Sequence, residues 1–250
     1  MKLESYLDYL VTWIRQEVKD ANLKGCIIGL SGGIDSAVAA ALVKKAVGNN
    51  SLALIMPVKS NPKDKQDALL VAKKAGIKTY TVELDKAYLE LSKNIIGSKL
   101  VKTNSDSFKL AMANSKARLR MTTLYQFGQS LGYLVIGTDN AAEWYTGYFT
   151  KYGDGGVDLV PLIHLTKGEV FEAAKILGVP QSIIDRKPTA GLAANVYDED
   201  ELKLTYKEID AFLLGKKINP KSKKRLVYLN KITEHKRHLA KGPKPLVRTK

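Results

Sequence analysis

Leu3, Tyr6, Leu7, Leu10, Ile14 and Val18 recur at helical spacing and fall on one face of residues 3–20. The spacing predicts an amphipathic first helix, ended by Ala21-Asn-Leu-Lys-Gly25. An unbroken apolar run, Cys26–Leu30, is short enough for a buried strand. A glycine turn joins it to Ala37-Val-Ala-Ala-Ala-Leu-Val43, helix formers that carry a second helix to about Val47. Gly48-Asn-Asn50 turns the chain, and Ser51–Met56 reads as another apolar strand, closed by Pro57. Strand, helix and strand in about 30 residues make a βαβ unit, which implies parallel pairing and a right-handed crossover.

The pattern repeats. A helix over 63–75 with Asp64 in its first turn, a strand over 78–84, a long helix over 106–130 and a buried strand over 133–138 follow. The expected fold class is therefore α/β, a doubly wound, mostly parallel, Rossmann-like sheet in a single domain. Within residues 1–250, an N-terminal helix (1–24) precedes a nucleotide-binding core (25–200) and a basic C-terminal segment (201–250). Ligands of such sheets lie beyond the carboxyl ends of the strands, so Gly29–Ser36 and Gly137–Asn140 share one rim.

Beyond Lys151 the pattern loosens. Tyr152–Asp158 holds three glycines and two carboxylates and is expected to be a mobile loop over that rim. Thr166 should cap a helix that runs to Leu177 and stops at Gly178. Residues 181–201 are rich in turns, and 205–213 form a further helix. The stretch 190–203 is expected to order on ligand binding. Leu110, Phe171 and Leu177 read as core, Tyr145, Tyr148 and Phe149 as packing, and His164 as structural.

Composition narrows the picture. A hydrophobic content of 45% is enough to fill a core. No apolar run approaches the roughly 20 residues that span a bilayer, and the first residues lack a secretion signal. The single cysteine, Cys26, excludes an intrachain disulfide and fits the cytoplasm. The net charge of +15 is concentrated at one end, since residues 215–250 carry 13 Lys and Arg against one acid, Glu234. Tyr228 is the only aromatic residue among them, so the tail suits a solvated surface or phosphate-bearing ligands, and nucleic-acid binding is not favoured.

The candidate chemistry begins at the glycine turn: Gly29, Leu30, Ser31, Gly32, Gly33, Ile34, Asp35 and Ser36. A strand–turn–helix junction aims backbone N–H groups and the positive end of a helix dipole at one point. Gly32 and Gly33 are free to take positive φ, and Ser31 and Ser36 add hydroxyls. This is a phosphate cradle. It lacks the Walker lysine and holds a carboxylate instead, and an anion among phosphates calls for Mg2+. The simpler alternative is a βα turn with Ser31 or Asp35 as helix cap. If a helix starts after Thr138, Asp139 and Glu143 sit four apart and can reach an ion shared with Asp35. Alternatively, both acids merely favour a helix N-terminus.

SGGIDS resembles the pyrophosphate loop of the N-type ATP pyrophosphatases, which cleave ATP between its α and β phosphates. GTDNAAEWYTGYFTKYGDGGVDLVPL (137–162), Asn114–Met121, Leu165-Thr-Lys167, Lys187-Pro-Thr189 and Thr233–Arg237 together resemble the NAD synthetase family, in its short form that uses free ammonia. The resemblance implies an adenine-nucleotide α-hydrolase-like fold and a homodimer with its substrate site at the interface. Residues 3–20 and the helix near 106–130 are expected to supply that interface. It also implies Mg2+, ATP as co-substrate, deamido-NAD and ammonia.

Carried over by motif, Gly29–Ser36, Thr138, Lys167 and Thr189 bind ATP, and Asp35 and Glu143 hold the metal. Arg118, Tyr125, Lys151, Asp158, His235 and Lys236 bind deamido-NAD. Asp154 accepts a proton from ammonium, and Lys167 assists the transferring phosphate. As lone residues, Arg118, Arg120, His235 and His238 would be solvated surface, so the roles of Arg118 and His235 rest on the resemblance alone. Gly191 departs from an aspartate found in some relatives, and residues 241–250 follow no family pattern. The competing readings are a tRNA-modifying ATP pyrophosphatase that grips RNA with its basic tail, and a nucleotide sensor without turnover.

Overall fold

The structure, a computed structural model, describes residues 2–187 and 198–246. Four parallel strands form its sheet: β1 (Gly25–Gly29), β2 (Ser51–Ile55), β3 (Lys78–Thr81) and β4 (Tyr133–Ile136), in the order β3-β2-β1-β4. The order reverses between β1 and β4, which leaves a crevice at their carboxyl ends. Both sides of the sheet are covered. Cys26 and Ile28 face a core made with α1 (Leu3–Asp20), α2 (Ile34–Val47) and α7 (Lys167–Ile176). Ile27 points the other way, with Leu54, Val135 and Leu124 of α5 (Asp106–Leu131). Burial on both faces is why β1 reads as continuous apolar sequence rather than an alternation.

The helices start and stop where their side chains dictate. Asn61 caps α3 (Pro62–Ala75) by accepting from Lys63 N, with Pro62 in the first turn and Gly76 at φ 65° beyond its end. Ser105 accepts from Phe108 N to start α5, and Gly132 ends it. Thr166 caps α7 as expected, in a reciprocal pair with Glu169.

Several expectations change. The apolar stripe of α1 is spent inside the chain, with Leu7, Leu10, Ile14 and Val18 buried against α2 and α7, so it is not open to a partner subunit. The strand over 78–84 shortens to an edge strand of alternating exposure, and α4 (Asp85–Gly97) follows it, unforeseen because only Ser92 of it is buried. Leu110 is 61% exposed: the first turns of α5 run past the sheet and wall a cavity instead of a core. His164 is exposed.

The glycine segment 152–158 is pinned at several points. Thr150 N donates to Asp154 Oδ1, Val135 N to Asp158 Oδ2, and Leu159 pairs with Ile136 beside β4. Within residues 181–201, expected to be rich in turns, the structure has the short helix α8 (Gln181–Ile184), and a second, α9 (Asp198–Leu202), closes the stretch. With α6 (Ala141–Thr146), α10 (Tyr206–Leu213) and α11 (Pro220–Ile232), α9 makes a third apolar cluster around Leu204, Tyr206, Ile209 and Leu226. Phe171 and Leu177 pack against the main core, and Phe149 stacks on Trp144.

Candidate active site

The turn after β1 has one strained glycine. Gly32 has φ 81°, and a Cβ there would lie 2.6 Å from the Asp64 carbonyl oxygen. Gly33 is the N-cap of α2 at φ −87°, so the expectation of positive φ holds for Gly32 and fails for Gly33. Neither Ser31 nor Asp35 caps that helix. The two hydroxyls hold the turn instead: Ser36 Oγ donates to Gly33 O (2.9 Å) and lies 3.1 Å from Ser31 Oγ. The first turn of α2 therefore opens on a cavity of about 590 Å3, which Ser31, Asp35, Thr138, Glu143 and Lys167 also line.

At its floor lies a knot of charges. Asp35 Oδ2 accepts from Lys167 Nζ at 2.6 Å and Asp35 Oδ1 from Asn140 Nδ2 at 2.9 Å. Glu143 Oε1 stands 3.9 Å from the same ammonium. Three elements supply these groups: α2 from β1, α6 from β4, and the first residue of α7. Asn140 and Glu143 form a reciprocal cap on α6, with Glu143 reaching back to Asn140 N. Glu143 is thus one helical turn in, as expected, whereas Asp139 lies outside the helix. Lys167 is 1% exposed, its Nζ sits 5.0 Å from the Tyr206 ring, and Tyr206 Oη donates to Asp198 Oδ2. Asp210 of α10 anchors the lysine's backbone by accepting from Lys167 N and Gly168 N.

Burial opposes the Lys167 charge, but Asp35 and Glu143 outweigh it and hold the ammonium pKa above its usual value. Burial and then Asp35 push the Glu143 carboxyl up to about 8, with Lys167 only partly opposing them.

A second corner of the cavity is built differently. Asp139 is 4% exposed, and its Oδ2 has no hydrogen-bond partner among the described residues. Burial, then Asp154, Glu143 and Asp35, drive its pKa well above the carboxylate range. Lys236 is close enough to moderate that shift, but its Nζ is bonded to the carbonyls of Gly147 and Phe149, each at 2.7 Å. Arg120 donates to Met56 O and Ser60 Oγ.

The residues matched to deamido-NAD binding divide. Lys236 lines the cavity. Arg118, Lys151 and His235 are chained together: Arg118 Nη2 donates to Lys151 O, and Lys151 Nζ to His235 O. Tyr125 and Asp158 form a separate pair at 2.8 Å. Thr189 and Gly191 lie outside the described residues. Sequence reasoning passed over Asn140, although Asn-x-x-Glu is a legible cap signature. Arg120, which as a lone residue reads as solvated surface, is instead half-buried and bonded to Met56 O and Ser60 Oγ; Asp198, Tyr206 and Asp210 left no signal, because their roles depend on elements far apart in the chain.

Among the described residues no group of three or more His, Cys, Asp or Glu side chains could hold a metal ion by itself. Asp35 and Glu143 are two carboxylates sharing one cation beside a phosphate cradle. That donor set fits Mg2+, which takes one or two carboxylates and completes its shell with phosphate oxygens and water.

Comparison with known proteins bears on the same residues. The family model described as NAD synthase matches residues 6–240. The NH3-dependent NAD+ synthetase of Mesoplasma florum is 52% identical over 248 residues, covering 99% of this chain and 100% of that protein. The solved structure of NMN synthetase from Francisella tularensis superposes with a TM-score of 0.90 at 41% identity, covering 97% of this chain and 99% of that one. An NH3-dependent NAD synthetase from Campylobacter jejuni, in complex with the nitrate ion, gives a TM-score of 0.78 at 27% identity, covering 98% and 100%.

Proposed function

The chain belongs to the NAD synthase family, and on that premise we propose that its rim cavity amidates deamido-NAD with free ammonia at the expense of ATP, giving NAD+, AMP and pyrophosphate. The observation that carries this reading is the convergence of Asp35, Glu143 and Lys167, drawn from three distant segments, on the mouth of the cradle after β1. A tRNA-modifying pyrophosphatase would share the cradle alone; the relatives and the motifs beyond it favour the synthetase.

The chain's own groups suggest the following sequence. N–H groups of the turn and α2, with Ser31 and Ser36, bind the ATP phosphates, and Thr138 contacts the nucleotide. Thr189 is assigned to the same set from the motif alone. Asp35 and Glu143 would hold Mg2+, which when bound supplies countercharge to the phosphates. Arg118, Tyr125, Lys151, Asp158, His235 and Lys236 bind the dinucleotide and bring its nicotinate carboxylate to the α phosphate. One carboxylate oxygen attacks, pyrophosphate leaves, and the acyl-adenylate forms. Lys167 must release Asp35 to follow the phosphate charge, a shift its flexible stem permits. Asp154 takes a proton from ammonium, since only neutral ammonia offers a lone pair. Ammonia then attacks the acyl carbon and AMP departs.

The same reading places the reaction in the cytoplasm and the enzyme as a homodimer with its dinucleotide site at the interface. Because the α1 stripe is internal, the exposed apolar residues of α4 and α5, among them Leu89, Ile96 and Leu110, are the faces offered for that contact. Among the described residues no helix is long and apolar enough to cross a membrane.

One observation favours a second acceptor. The F. tularensis NMN synthetase superposes more closely than the C. jejuni NAD synthetase, so nicotinic acid mononucleotide is the alternative acid. Mixing the two acids at equal concentration with ATP, Mg2+ and ammonium decides between them. Preferential NAD+ formation supports the dinucleotide, preferential mononucleotide amide supports the alternative, and pyrophosphate release with neither acid present would refute both.

A further inference from the structure

Helix α10 touches Lys167 at both ends. Asp210 accepts from Lys167 N at 3.0 Å and from Gly168 N at 2.8 Å, which fixes the main chain. Four residues earlier, on the same face of the helix, Tyr206 presents its ring to the ammonium, with Nζ 5.0 Å from the ring centre. The ring is itself held. Tyr206 is buried, its N donates to Glu199 Oε1 at 2.7 Å, and its Oη donates to Asp198 Oδ2 at 2.8 Å. It belongs to the apolar cluster of Leu204, Ile209 and Leu226.

The other groups around that ammonium are the carboxylates of Asp35, at 2.6 Å, and Glu143, at 3.9 Å, the pair assigned to the metal. A carboxylate holds a lysine by a directed bond that also neutralises it. An aromatic face attracts the ammonium through its quadrupole and leaves the positive charge undiminished. It does so over a range of positions within about 6 Å, and most strongly when the cation is desolvated, as Lys167 is. The face of a ring offers no oxygen to Mg2+, which binds oxygen ligands, and it carries no charge to repel a phosphate.

The geometry points to Tyr206 as the positioning residue that keeps the Lys167 ammonium at the cradle while Asp35 and Glu143 turn to the metal. This rests on the synthetase reading and deepens it, by naming what holds the lysine once its carboxylates are engaged elsewhere. Asp210 keeps the main chain still. The ring lets the ammonium slide across its face towards the phosphates, and the buried bond to Asp198 keeps the ring from following. Without the ring the long flexible stem of the lysine has many other places to go.

Two substitutions separate ring from hydroxyl. Tyr206→Phe keeps the ring, and Tyr206→Leu keeps only apolar bulk. The expected fall in pyrophosphate exchange into ATP is less than about threefold for the first and at least about 30-fold for the second. Phenylalanine analogues carrying one, two and three fluorines at position 206 then separate the electrons of the ring from its shape. Every analogue lacks the hydroxyl, so the loss at Asp198 is common to all. Exchange should fall stepwise with fluorine number, by about tenfold over the series, in analogues shown to be folded by their melting curves. A ring that serves only as packing gives equal rates across the series, and that result overturns the assignment.

The unaltered enzyme gives a check that needs no variant to fold. With 13C-labelled lysine, the assigned Lys167 ε-methylene signal should be displaced by the ring current and stay displaced when Mg2+ and a non-hydrolysable ATP analogue bind. Its return to the position of an exposed lysine on binding also overturns the assignment. If the unaltered enzyme exchanges no pyrophosphate with deamido-NAD present, the synthetase reading itself fails. That outcome is distinct, because the methylene signal is read without any acid substrate.

Discussion

Two corners of one cavity handle charge in opposite ways. Around Lys167 every group has a protein partner: Asp35 has Lys167 and Asn140, Glu143 has the backbone of Asn140, and the ammonium has Asp35, Glu143 and a ring face. Around Asp139 the cations are committed elsewhere and one oxygen is left over. The difference separates two ways of burying charge. Where charges are mutually satisfied, a ligand must displace a partner, so a cation bound by Asp35 and Glu143 would have to compete with Lys167. Where an oxygen is enclosed without a partner, burial favours the protonated carboxyl instead.

The largest expected effect follows from deleting the centre of the satisfied corner. Asp35→Ala should reduce adenylation, followed as pyrophosphate exchange, by about 10³-fold or more, because it removes a carboxylate proposed to hold the ion and leaves Lys167 without its closest partner. The fold should persist, since Asp35 sits on the rim. Substantial NAD+ formation by this variant would contradict its metal role.

Lys167→Met sharpens the contrast. Asp35 and Glu143 then face each other without the ammonium, so besides losing adenylation the protein should lose about 3 kcal/mol in chemical denaturation. Asp139→Asn, from the unsatisfied corner, should not lower stability. Equal destabilisation of the two variants would erase the distinction between the corners.

Gly32→Ala tests the cradle separately from either corner. Left-handed backbone and a Cβ 2.6 Å from Asp64 O should together cost about 2 kcal/mol, with weaker ATP binding by calorimetry. Wild-type affinity would mean the turn tolerates a side chain and is not set by Gly32.

A pH dependence tests the satisfied corner in a further way. The Glu143 carboxyl ordinarily titrates near 4.5 and in the folded protein near about 8, so between those values the folded state holds a proton that the unfolded state has lost. Its contribution to stability is therefore present at low pH and fades as pH rises towards 8. Without ligands, the melting temperature should fall from pH 6 to pH 8.5, and Glu143→Gln should flatten that slope. An identical slope in the variant would remove Glu143 as its source.

Much of this arrangement was legible in the chain. Periodicity and glycine placement gave β1, α2, β2, α3, α5 and β4 to within a few residues, because each is defined by local apolar spacing and by caps such as Ser105 and Thr166. Motifs supplied Asp35, Glu143 and Lys167 as a set, and the fold brought them together. What failed was non-local. The α1 stripe looked available to a partner because nothing in residues 3–20 says that α2 and α7 cover it. Leu110 looked like core because the helix pattern carries no record of where the sheet ends. Asp139 reads as an ordinary helix-end acid, and nothing near Asp210 in the chain marks it. Only the packing of α10 on α7, and the commitment of Lys236 to two carbonyls, gives those carboxylates their distinct positions.

The central claim is that a nicotinate oxygen attacks the α phosphate of ATP, and isotope transfer tests it most directly. Deamido-NAD labelled with 18O in its carboxylate, converted with ATP, Mg2+ and ammonium, should give AMP carrying one labelled oxygen and NAD+ retaining the other. Label in pyrophosphate, or ADP and orthophosphate as the products, would contradict the account.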